Sequence, residues 1–256
     1  MNIFSLLKKQ IIYYFKKKIN IDLQELRSKN LDYLFKYYGT DKSTKWHGFS
    51  KFYEKHLDQI KNKKISILEI GCHEGSSAAA FAKYFSKSLI LCLDINVSRF
   101  KYFSKRIKVR SVNASDKKDV KNLFKKEKSN KNFSYDLIVD DGSHKTSDIL
   151  YTLRNMFDLV KPGGYYIIED YKLANFFNYF HDINEPKADY ILNKLKKKKY
   201  FESKIINKTF QKNLIKKIDK VFLYSGNFIY GKNSTNTSSD ISFIKLKKKF
   251  DNKKIK

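Results

Sequence analysis

Only two of the 256 residues are cysteine, Cys72 and Cys92, too few for a disulfide scaffold, and no CxxC or Cys/His spacing offers a zinc site. Two lone thiols suit a reducing compartment. Proline is equally scarce, at Pro162 and Pro186, and no flexible linker or internal repeat divides the chain. Arginine is short too: of 54 basic residues only Arg27, Arg99, Arg106, Arg110 and Arg154 are arginine. Surfaces that grip phosphates or bases lean on its bidentate fork. The net charge of +28 therefore reads as a lysine-rich compositional bias, and nucleic acid is not the expected partner. No apolar run approaches the ~20 residues that span a bilayer. What is present is 41% hydrophobic and 16% aromatic residues, enough for one sizeable core in a chain short for two independent domains.

The N-terminus is amphipathic. Ile3, Phe4, Leu7, Ile11, Ile12 and Phe15 fall on one helical face, flanked by Lys8, Lys9, Lys16, Lys17 and Lys18. Lysines interrupt the apolar stretch too early for a signal peptide, and no small-residue cleavage site follows. The face suits a helix packed on its own domain or on a second subunit of a homo-oligomer. The alternative use of residues 1–18 is a helix lying on a membrane surface. The expected location is cytoplasmic, with the inner membrane face as a variant of it.

From Lys63 onward short β-rich runs alternate with helical stretches. Strands are expected at 65–70, 89–94, 109–113, 135–140 and 165–169, with helices at 76–85, from Ser115-Asp116 to about 128, and from about 149 to 160. Pro162-Gly163-Gly164 is expected to turn the chain into the fifth strand. This alternation predicts a doubly wound, Rossmann-like α/β fold with a mostly parallel sheet. A strand from Lys220 to Tyr230, a polar Asn/Ser/Thr loop at 233–239 and a strand at 241–246 predict an antiparallel C-terminal pair. Residues 1–62 read as a helical N-terminal extension, and 63–256 as the main domain with a lysine-rich helical insertion at about 171–218. The tail from Lys247 reads as a mobile end.

Leu68-Glu69-Ile70-Gly71-Cys72-His73-Glu74-Gly75-Ser76-Ser77 follows a predicted strand and opens a helix, the setting of a nucleotide-binding loop. A dinucleotide fingerprint would carry a second glycine where His73 stands, so no pyrophosphate cradle is implied. The loop suits a nucleoside with a zwitterionic amino-acid tail, and Asp94, closing the next strand, can accept from both ribose hydroxyls. Asp140-Asp141-Gly142-Ser143-His144 follows the fourth strand, and Glu169-Asp170 the fifth. In a doubly wound sheet these ends share one rim. So many like charges need a positive partner, and all-oxygen ligands favour Mg²⁺ or another hard divalent cation. His144, three residues past Asp141, is the candidate general base. His47, His56, His73 and His181 are expected in surface or packing roles.

The loop resembles that of class I S-adenosylmethionine-dependent methyltransferases. Tyr38-Gly39-Thr40-Asp41-Lys42 with His47 and Tyr53, the Gly71 loop, Asp140–His144, and Pro162-Gly163-Gly164 through Glu169-Asp170 together resemble the metal-dependent O-methyltransferases acting on macrolide sugars. Two positions depart from that family's pattern, Ser76 for a second glycine and Ala80-Phe81 for a tryptophan. The resemblance implies Asp141, Glu169 and Asp170 as metal ligands and His144 as base. It implies Glu69, Gly71, Gly75, Ser77, Asp94 and Asp140 at the S-adenosylmethionine site, with Asp116 near the adenine. Gly39 to Lys42 would close the site. The implied acceptor is a small-molecule or lipid-linked sugar hydroxyl, overhung by the insertion. The competing expectations are an RNA methyltransferase and a non-catalytic, membrane-peripheral module with the same fold.

Overall fold

The computed structural model describes residues 3–26, 30–127, 134–227 and 239–249. Seven strands form one sheet: β1 (Ser66–Ile70), β2 (Leu89–Asp94), β3 (Ile107–Ser111), β4 (Tyr135–Asp140), β5 (Val160–Glu169), β6 (Ile218–Ser225) and β7 (Asp240–Leu246). Their spatial order is β3-β2-β1-β4-β5-β7-β6. The first five run parallel, and β7 is antiparallel to both its neighbours, β5 and β6. This is the expected doubly wound sheet with its antiparallel C-terminal pair.

Successive strand residues feed opposite cores, as the period-2 pleat requires. Ile67, Val139 and Ile167 join one cluster, while Leu68, Ile138 and Ile168 join the other. The first face is covered by α2 (Leu31–Tyr38), α3 (Ser50–Leu57) and α4 (Ser76–Tyr84), through Leu34, Phe35, Tyr53 and Phe81. Residues ahead of 62 are thus built into the same core as the sheet. The second face is covered by α5 (Lys117–Glu127) and α6 (Thr146–Met156), and by α8 (Ala188–Lys196) and α9 (Lys208–Lys217) of the insertion.

Strands β2 and β4 have the expected bounds, while β3 starts and ends two residues early, because Ile107 and Val109 rather than Val112 pair with β2. Strand β5 begins at Val160, and Pro162-Gly163-Gly164 is absorbed as a register shift opposite Tyr135–Leu137 instead of turning the chain. Strand β6 starts at Ile218 and ends at Ser225; residues 228–230, most of the 233–239 loop and the tail beyond Lys249 lie outside the described residues.

The insertion mainly closes the second face, with Ile191, Leu192, Leu195 and Leu214 in the core. Between α7 (Leu173–Phe176) and α8, Phe180 accepts from the Thr146 hydroxyl at 3.1 Å and Asp182 from that of Ser147 at 2.6 Å, so the turn at 178–182 reaches the first turn of α6. Helix α1 (Ile3–Phe15) forms where expected, but the buried residues are Leu6 and Tyr13; the predicted apolar face is exposed. No helix among the described residues is long and apolar enough to cross a membrane.

Candidate active site

Strand order reverses at β1, whose neighbours are β2 and β4, and a doubly wound sheet opens its ligand crevice beyond the carboxyl ends at that switch point. Registers Ile70↔Asp140 and Asp140↔Ile168 bring Gly71, Asp141 and Glu169 to one level. The loops then interlock. Asp141 N–H donates to the Ile70 carbonyl at 2.9 Å, and a Cβ on Gly71, at φ +81°, would lie 1.8 Å from the Asp141 carbonyl oxygen. Only glycine permits that approach. Gly75, also left-handed at φ +83°, starts α4 with the Phe100 ring against it.

A cavity of about 880 Å³ occupies the crevice, and Gly71, Ser77, Asp94, Asp140, Asp141 and His144 are among its lining residues. Asp94 accepts from the backbone N–H of His73 at 2.8 Å and of Asn96 at 2.7 Å, which fixes its carboxylate on the wall. Asp140 accepts from the Tyr166 hydroxyl at 3.2 Å, and burial pushes its carboxyl up to about 7. His73, exposed as expected, lines the cavity in contact with Arg99.

Three residues expected at the cofactor do not line it. Glu69 is buried beneath the loop, where it accepts from the Ser77 hydroxyl, and burial pushes it up to about 7. Gly75 acts through the loop's shape. Asp116 caps α5 by accepting from the N–H of Lys118 at 2.7 Å and Asp119 at 3.1 Å, while Asn113, Ala114 and Ser115 form the wall at that turn. An aspartate ahead of a helix satisfies N-terminal amides first.

At the rim, one oxygen or nitrogen from each of Asp141, His144 and Asp170 lies within 4.8 Å of the others. The His144 Nε2 is 3.7 Å from Asp141 Oδ1. Burial lowers the pKa of His144 against the pull of Asp141, so the ring stays neutral. Both His144 (φ +59°) and Asp170 (φ +50°) are left-handed, a strained backbone that clusters at functional sites. Asp170 Oδ1 is buried without a hydrogen-bond partner, and burial, Asp141 and Glu169 raise its pKa well above the carboxylate range. A buried, unbonded carboxylate oxygen facing a second carboxylate fits a hard divalent cation.

Three residues here were not assigned a role at the acids. Lys42 is 1% exposed and its ammonium donates to Asp141 and, at 2.6 Å, to Glu169. Burial works against its charge, but the two acids outweigh burial and raise its pKa. The buried Tyr53 hydroxyl donates to the other Glu169 oxygen. Burial pushes Glu169 up to about 8 despite Lys42. His47, expected in a packing role, has Nδ1 3.6 Å from Asp170 Oδ1 and Nε2 3.6 Å from Asp41. All three stand in the blocks that carried the family resemblance; no spacing rule links them to acids a hundred residues away.

Comparison with known proteins agrees with this geometry. Residues 68–166 match the methyltransferase domain family Methyltransf_12. The L-olivosyl-oleandolide 3-O-methyltransferase of Streptomyces antibioticus is 31% identical over 147 residues, 55% of this chain and 36% of that protein. The demethylmacrocin O-methyltransferase of Streptomyces fradiae is 29% identical over 175 residues, 66% of this chain and 41% of that one. The chain thus spans well under half the length of these curated relatives. The mycinamycin-pathway methyltransferase MycE, solved with Mg and SAH, superposes with a TM-score of 0.65 at 20% identity, covering 90% of this chain and 58% of its own. At that identity the likeness is one of fold. Strand order, glycine loop and domain match agree: residues 68–166 match a methyltransferase domain, and about half of the chain is similar to O-methyltransferases of macrolide and tetracenomycin products.

Proposed function

We propose that this chain transfers the methyl group of S-adenosylmethionine to a hydroxyl of a sugar or glycan-type acceptor, small or lipid-linked. The observation that carries the reading is the meeting of Asp141, His144 and Asp170 at the rim of a cavity whose wall holds Asp94. Relatives that include sugar O-methyltransferases support it, as does MycE in complex with Mg, SAH and mycinamycin VI.

Asp94 would accept from the ribose hydroxyls, with Gly71, Ser77 and Asp140 around the rest of the methyl donor. Asp141, Glu169 and Asp170 would hold a divalent cation, and Glu169 must exchange its Lys42 bond to join the other two. Such a cation, when bound, supplies a Lewis acid that acidifies and orients the acceptor hydroxyl. A sugar hydroxyl is too weak an acid to ionise alone near neutrality, so His144 takes its proton at Nε2, the nitrogen facing Asp141. Tyr53, bonded to the other carboxylate oxygen, keeps Glu169 oriented through that exchange. Holding the oxygen in line with the methyl group supplies further acceleration, with no covalent enzyme intermediate.

Calorimetry with S-adenosylmethionine, followed by a methyl-transfer screen of activated sugars and lipid-linked glycans with and without Mg²⁺, tests this. Cofactor binding and turnover that vanishes in chelator are expected. Tight NAD binding, or full turnover in excess chelator, would overturn it.

A further inference from the structure

Among the described residues, helix α1 buries one side against the molecule. Leu6 and Tyr13 are buried, the Tyr13 ring meeting Phe100 edge-on at 6.0 Å. Between them the Gln10 amide imitates a neighbouring strand: its oxygen accepts from Ser111 N–H at 2.7 Å, and its nitrogen donates to the Val109 carbonyl at 3.4 Å. The helix thereby covers β3, the exposed edge of the sheet, a standard protection for unpaired strand groups. Past its end, the Lys16 ammonium donates to the carbonyls of Ser98 and Arg99 at 3.2 Å each.

The opposite side is apolar and exposed. Phe4 is 75% exposed, Leu7 51%, Ile11 53% and Phe15 88%, at the i, i+3, i+7, i+11 spacing of one stripe. Single exposed apolar residues need no explanation, whereas a contiguous stripe on a helix marks an interaction surface. Its charge says which kind. The first 21 residues hold no aspartate or glutamate but five lysines, Lys8, Lys9, Lys16, Lys17 and Lys18, of which Lys8 and Lys17 are exposed and Lys16 and Lys18 bond back to the chain. A second copy of this helix would bring lysines against lysines, whereas anionic lipid headgroups complement them and acyl chains accept the apolar stripe.

We propose that α1 is an interfacial helix that docks this protein on an anionic phospholipid surface, with Phe4, Leu7, Ile11 and Phe15 entering the headgroup–acyl boundary. Lys8, Lys9 and Lys17 provide the charge. The C-terminal end of the helix lies beside the cavity, since Lys16 is bonded to the backbone of Arg99, which lines it. Docking does not depend on the methyl-transfer reading and is measured without turnover.

The test is co-sedimentation of the full chain with extruded vesicles of phosphatidylglycerol and phosphatidylethanolamine, and with phosphatidylcholine vesicles as the neutral reference. Binding to the anionic vesicles should be at least tenfold tighter than to neutral ones. The triple variant Phe4→Ser/Leu7→Ser/Phe15→Ser and the triple variant Lys8→Glu/Lys9→Glu/Lys17→Glu should each lose at least tenfold. Phe4, Leu7 and Phe15 project away from the side anchored by Leu6 and Tyr13, so the melting temperature of the serine variant, measured alongside, should be unchanged. Three results overturn the proposal: the wild-type chain stays in the supernatant; both variants bind as well as wild type, which assigns binding to lysines elsewhere; or sedimentation equilibrium finds a dimer that the serine variant dissociates, which assigns the stripe to a second copy.

Discussion

Replacing Lys42 with methionine isolates the electrostatics of the site. The methylene stem and its packing are largely kept, while the one ammonium bonded to Asp141 and Glu169 is removed. Glu69, Asp141, Glu169 and Asp170 then surround an apolar side chain. Removing one partner of a buried ion pair costs about 3–5 kcal/mol, because the other charge stays desolvated. For a chain of this size that corresponds to a fall in melting temperature of roughly 6–20 °C. The penalty should depend on pH. Glu169 and Glu69, pushed up to about 8 and about 7 by burial even with Lys42 beside them, take up protons as pH falls. A carboxyl whose pKa is raised in the folded state destabilises it fully above that pKa, and the penalty shrinks as pH falls from there toward the unfolded value. The variant should therefore be worst at pH 8 and recover toward pH 6. A divalent cation supplies the missing positive charge, so Mg²⁺ should restore the variant more than it stabilises the wild type. Scanning calorimetry of both proteins at the two pH values, in chelator and in Mg²⁺, makes the measurement. A variant melting within about two degrees of wild type at pH 8 in chelator would refute the idea that Lys42 compensates these acids.

Asp94→Ala should weaken S-adenosylmethionine or S-adenosylhomocysteine binding by roughly 1–3 kcal/mol in calorimetry, through unpaired ribose hydroxyls and a loosened loop; unchanged affinity would remove Asp94 from the site. His144→Ala should slow turnover by roughly 10²–10⁴-fold with cofactor affinity nearly intact. Burial lowers the His144 pKa, so the acid limb of the wild-type rate should lie below the pH at which a free imidazole titrates. A variant keeping more than about a tenth of the rate would exclude His144 as base. His56 is stacked on Phe243 at 4.5 Å with Nε2 2.9 Å from the Tyr224 hydroxyl, and burial lowers its pKa to about 4. The unfolded chain then binds the extra proton between about pH 6.5 and 4, and up to about 3 kcal/mol of stability should be lost across that window. Denaturant titrations of His56→Phe should lack most of that slope.

The sheet was legible because strand and helix periods are local properties of the chain. Buried runs such as Tyr135–Asp140 and Leu89–Asp94 announce their own ends, and in a parallel sheet those ends share one rim. Asp141, His144, Glu169 and Asp170 could therefore be brought together from sequence alone. The positive charge among them could not. Lys42 reaches acids 99 and 127 residues away, and Tyr53 one 116 away, through the packing of α2 and α3 on the sheet face. Nor could the sequence tell that Asp116 is used by the amides of α5, or that Glu69 supports the loop from below. Helix α1 draws the same line. Periodicity identified the residues that share its apolar face, but only the tertiary structure decided which side is covered, because Gln10 bonds to the edge of β3 and Tyr13 meets Phe100. Composition and period set what each element can bury; register and packing set what it does bury.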